Sequence, residues 1–107
     1  MPDKAGRVTE SEVALVVMKY LRGVTNNEDS IDQIVRQLPN FLQLHASDRA
    51  TSPTRPNEEL WEQQVRNIVS HKATAGNAIN DGYLEHRPVA KLYVTNAGLA
   101  HLTANGI

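Results

Sequence analysis

The segment Thr9–Gly23 constrains the fold more than any other part of the chain. In Thr9-Glu10-Ser11-Glu12 the threonine hydroxyl stands where it accepts from the amide three residues on, and Glu12 where it reaches back. That is a capping box, and it starts a helix. Val13, Val16, Val17, Tyr20 and Leu21 then recur at i, i+3, i+4, i+7 and i+8, on one helical face. Ala14, Leu15 and Met18 widen the stripe well beyond that face, and Gly23 ends the run. A helix this apolar is either central in its fold or buries a second face on a partner; the central place is the one expected here. Its core, Val13 to Met18, is the longest apolar run in the sequence. Six residues are far short of the roughly 20 that a membrane span needs.

Ser30, with Gln33 three residues on, caps a second helix over 31–38, whose apolar side is Ile31, Ile34, Val35 and Leu38. Pro39 breaks it, and Phe41, Leu42 and Leu44 bring the chain back to the core. From His45 to Pro56, two prolines, small polar residues and two arginines spell a loop. Asn57 caps a third helix over 58–71, with Glu58 and Glu59 in its first turn. Trp61, Val65, Ile68 and Val69 form its apolar stripe; Glu59, Gln63, Arg66 and Ser70 lie opposite, with Asn67 beside them. A break follows, in which residues 78–80 add a helical turn and Gly82 ends it. Tyr83–His86 and Lys91–Val94 are strand-like runs joined across Pro88 as a hairpin. Thr95 caps a last helix, 96–102.

The chain has 107 residues, enough for one core and too few for two. One domain is expected over 9–102, with flexible ends at 1–8 and 103–107. Cysteine is absent, which excludes disulfides, Cys-ligated zinc, iron–sulfur clusters and a thiol nucleophile. The N-terminus lacks the apolar stretch and cleavage site of a secretory signal, so a cytoplasmic location is expected. Net charge is −1, unevenly spread: residues 1–62 carry seven Lys and Arg against ten Asp and Glu, residues 63–107 four against two. A near-neutral protein still binds polyanions when one face is positive.

The expected class is α+β and mainly α. Three helices, a hairpin and a closing helix make the layout of a winged helix-turn-helix, with the third helix as recognition helix and the hairpin as wing. Four stretches carry a closer resemblance: Trp61 to Lys72 with its Val65-Arg66-Asn67-Ile68-Val69-Ser70-His71-Lys72 block; Gly76-Asn77-Ala78-Ile79; Asp81-Gly82-Tyr83-Leu84-Glu85; and Tyr93 to Leu102. Together they resemble winged-helix modules of prokaryotic restriction endonucleases, of the Mrr N-terminal and HNH-nuclease-associated kinds, over roughly residues 10–102. The resemblance implies double-stranded DNA binding and, in some relatives, recognition of N6-methyladenine. The spacer from Lys72 to Asp81 is longer than in a minimal winged helix.

The residue chemistry suits reading bases rather than cutting a backbone. Arginine takes guanine O6 and N7 as a fork, and Asn or Gln takes adenine N6 and N7. Gln63, Arg66, Asn67 and Ser70 supply such groups on one helix face, with His71 following. Lys72, Arg87, Lys91 and Arg55 are placed to hold phosphates from the helix end, the wing and the preceding loop. Each has a plainer alternative. The helix face is an ordinary solvated one; Asn67 braces the next loop; Trp61 is core rather than a stacking platform; Arg87 and Lys91 are solubility charges. The four histidines share no i, i+4 spacing and no local carboxylate, so neither a metal site nor a Ser70–His71 pair is expected. No nuclease motif or phosphate-cradling loop is present, and no cofactor is expected.

The resulting expectation is a non-catalytic, modification-sensing DNA module of a restriction system. Its nuclease domain is a partner or lies beyond Ile107, the module being N-terminal. Two alternatives stay open: a small dimeric repressor, favoured by the wide apolar surface of the first helix, and a protein–protein winged helix, favoured by the net charge.

Overall fold

The first helix, α1 (Glu10–Arg22), is the element on which the others assemble. The Thr9 cap forms, the Glu12 amide donating to Thr9 Oγ1 at 3.1 Å, and the Glu12 carboxylate lies 3.4 Å from the same hydroxyl. Val13, Val17 and Leu21 are wholly buried, with Ala14 and Met18 close to it. Three further helices and the central strand of the sheet pack on it, so the central place holds, with Leu15 and Val16 partly buried. The computed structural model describes residues 9–41, 59–88 and 90–107, and over these the chain is α+β and mainly helical: four α-helices and a three-stranded antiparallel sheet. None of the helices is long and apolar enough to cross a membrane.

The sheet has one more strand than the sequence suggests. After α1 a single 3-10 turn, Thr25–Asn27, leads into β1 (Glu28–Ser30). Asn26 and Asn27 take left-handed φ values of 62° and 57°, a conformation asparagine tolerates better than most residues. They turn the chain so that β1 lies antiparallel to β3 (Lys91–Val94), Glu28 opposite Tyr93 and Ser30 opposite Lys91. On the other edge β2 (Leu84–Arg87) pairs with β3 through the expected hairpin, Arg87 opposite Lys91, and the strand order is β1-β3-β2. Leu84, Leu92 and Val94 face the core.

Ser30 caps α2 (Ile31–Gln37), its hydroxyl accepting from the Gln33 amide at 3.1 Å. Leu38–Asn40 continues as a 3-10 turn around Pro39. Phe41, expected to return to the core, is instead 45% exposed and leans on Tyr20 with ring centroids 5.7 Å apart. Helix α3 (Leu60–Ser70) starts two residues later than expected, with Glu59 as its N-cap residue rather than in the first turn. The Glu59 carboxylate does not cap; it accepts from the indole Nε1–H of the buried Trp61 at 2.8 Å. Asn57 and Glu58 lie outside the described residues, as do Leu42 and Leu44. Helix α4 (Asn96–Ala104) is capped by Thr95 and runs two residues past the expected Leu102, beyond which Arg22 donates to the Ile107 carbonyl at 2.8 Å.

Candidate nucleic-acid interface

The two sides of α3 divide cleanly. Trp61, Val65 and Ile68 are buried against α1, as the apolar stripe predicts. Gln63, Arg66 and Asn67 are half-buried on the remaining surface, and Ser70 is exposed. Trp61 is a core residue whose one polar atom is satisfied by Glu59. Asn67 donates to Gln64 Oε1 at 3.3 Å, a bond within the helix face rather than a brace to the following loop.

Carboxylates meet Arg66, His71 and Arg87, all but Glu85 from another element. Arg66 Nη2 stands 3.8 Å from Asp32 Oδ1 on α2, with the arginine side chain 31% exposed and the aspartate 79%. His71 closes the end of α3, and its Nδ1 lies 2.7 Å from Glu10 Oε1 in the first turn of α1. His71 thus has no local carboxylate, as expected, but the fold supplies one from 61 residues away in the sequence. Arg87 belongs to β2, not to the turn beyond it. Its Nη1 meets Glu28 Oε2 and its Nε meets Glu85 Oε1, each at 3.2 Å, with Cζ 3.7 Å from the centroid of the Tyr93 ring. Lys72 is exposed just beyond α3, and Lys91 is half-buried beside Arg87 on β3. Arg55 lies outside the described residues. The candidates thus form two sets: one along α3 and its C-terminal end, anchored on α1 and α2, and one on the outer face of the sheet.

Asn77, which no motif singled out for this role, fixes the segment between α3 and β2. It is a buried polar residue, 4% exposed. Its amide nitrogen donates to the Ile68 carbonyl at 2.9 Å and to Glu10 Oε2 at 3.1 Å. Its oxygen accepts from the Ile79 and Asn80 amides at 2.8 and 3.1 Å. Every hydrogen-bonding capacity that burial makes costly is thereby met. Gly76 and Gly82, at φ of 87° and 84°, make the turns on either side. The one sequence signal was a polar residue between Gly76 and the apolar Ala78–Ile79 pair.

A shallow groove runs along α1 from Glu10 to Met18, walled by Asp81, Tyr83 and His101. Tyr83 and His101 stack with centroids 4.1 Å apart. Among the described residues no three His, Asp or Glu side chains gather as metal ligands would. Comparison of the chain with protein-family models, with curated proteins and with solved structures returned no match.

Proposed function

We propose that this chain is a winged-helix module that binds double-stranded DNA through α3. In this reading it is the specificity or modification-sensing part of a restriction-type endonuclease, reads N6-methyladenine, and does no catalysis itself. The observation that carries the reading is the division of α3. One side is locked into the core by Trp61, Val65 and Ile68, and the other offers Gln63, Arg66, Asn67 and Ser70 together. The order α1-β1-α2-α3-β2-β3, with β1 beside β3, supports it, because that is how a winged helix sets a hairpin after its recognition helix. Here α3 enters the major groove, Arg66 exchanges Asp32 for a guanine edge, and Gln63 or Asn67 takes an adenine. Lys72 and Lys91 hold phosphates.

A second reading, a protein-interaction module, has its own support in the carboxylates beside Arg66 and Arg87, which lower the positive potential of both candidate sets. Fluorescence anisotropy separates the two. The domain is titrated into duplexes identical except for N6-methyladenine at one palindromic site, at low and moderate salt. DNA binding predicts a shift that weakens with salt by about 0.9 log units per log unit of salt for each phosphate contact. A modification reader prefers the methylated duplex. No shift on any duplex at low salt would overturn the DNA reading and leave the protein-interaction one.

A further inference from the structure

The outer face of the sheet holds an arginine that its own neighbours occupy. Along β3, Leu92 and Val94 are buried while Lys91 and Tyr93 point outward. Directly paired residues of adjacent strands share a face. The register therefore sets Glu28 and Glu85 on either side of Tyr93, and Ser30 and Arg87 on either side of Lys91. Arg87 lies back across the first row: its guanidinium covers the Tyr93 ring, Nε meets Glu85, and Nη1 meets Glu28 from the opposite edge strand. The hydrogen bond that Arg87 donates to Glu85 is the main reason its pKa is raised, with the one to Glu28 adding to it.

A cation serving only solubility has no need of a carboxylate from each edge of the sheet. Any phosphate set against Arg87 stands close to both carboxylates, well inside the Debye length of about 8 Å at physiological salt. We infer that Glu28 and Glu85 mask Arg87, so that the outer sheet face is a phosphate-contact surface, Arg87 with Lys91, held closed by its own carboxylates. The inference rests on the DNA-binding reading and concerns how tightly the module grips a backbone, not which bases α3 reads.

The test is the double variant Glu28→Gln, Glu85→Gln, titrated beside the parent protein with one short duplex over a range of salt. Glutamine keeps the shape and hydrogen-bonding oxygen of each side chain, and matched melting temperatures verify the fold. With Arg87 released to one phosphate, affinity at low salt rises roughly five- to tenfold and the salt slope steepens by about 0.9. Adding Arg87→Ala abolishes the gain. If the parent binds and the double variant binds no better, masking is overturned while the DNA reading stands. A gain that survives Arg87→Ala likewise overturns it, because loss of negative charge alone then explains the effect. Binding by the double variant but not by the parent supports masking and overturns DNA binding by the native chain. No binding by either overturns both.

Discussion

Asn77 holds three parts of the chain together: the first turn of α1 through Glu10, the last turn of α3 through Ile68, and the turn at 79–80 through two amides. Asn77→Ala leaves a buried carbonyl and two amides without that partner. A loss of about 2–3 kcal/mol is expected, because an orphaned buried group bears its full desolvation cost. Urea unfolding followed by the fluorescence of Trp61, the single tryptophan, measures it. Tyr20 makes a second prediction at this scale. Burial, and then its hydrogen bond to Asp29 at 2.7 Å, push its pKa from 10.0 up to about 12. The fold thus favours the neutral phenol. Its stabilising share is complete below pH 10 and is lost as pH rises toward 12. Ultraviolet titration should show one of the three tyrosines ionising late, and Tyr20→Phe should remove that late phase.

Helix α4 approaches Tyr83, just before β2, and Val94 of β3 closely enough at Gly98 to leave no room for a side chain. Gly98, in the first turn of α4, donates to Thr95 Oγ1 at 3.0 Å. A Cβ there would run into the Tyr83 carbonyl oxygen and stand 2.8 Å from Val94 Cγ2. On propensity alone Gly98→Ala would gain about 1 kcal/mol in a helix; the clash reverses the sign, and a net loss of about 2 kcal/mol is expected in thermal unfolding. On α3, Arg66→Ala tests the proposed base contact. Its exposed pair with Asp32 is worth at most about 1 kcal/mol to stability. Duplex affinity, by contrast, should fall by about 1–3 kcal/mol. Equal affinity for the variant and the parent would remove Arg66 from the interface.

The helices were legible because each is written in local terms: Thr9, Ser30 and Thr95 cap as the sequence predicts, and Trp61, Val65 and Ile68 mark the buried side of α3. Strand β1 was not. Glu28-Asp29-Ser30 has no strand composition and exists because two left-handed asparagines deliver its backbone to β3. The same limit hid the partners of the candidate site. Arg66 with Asp32, His71 with Glu10 and Arg87 with Glu28 are pairs made by folding across 34 to 61 positions of the sequence. The candidates were visible as residue types, but their electrostatic state was not.

For the molecule as a whole, the decisive quantity is where a polyanion lands. Net charge is −1, so attraction has to be local. In the proposed reading the outward side of α3 meets base edges, while the sheet holds a cation already engaged by carboxylates. The most direct measurement is a two-dimensional amide NMR titration of the isotopically labelled protein with a short duplex at low salt. The account predicts that the largest shifts fall on residues 63–72, with smaller ones at the hairpin and little change on the buried side of α1. Shifts that avoid α3, or a spectrum unchanged at saturating duplex, would contradict it.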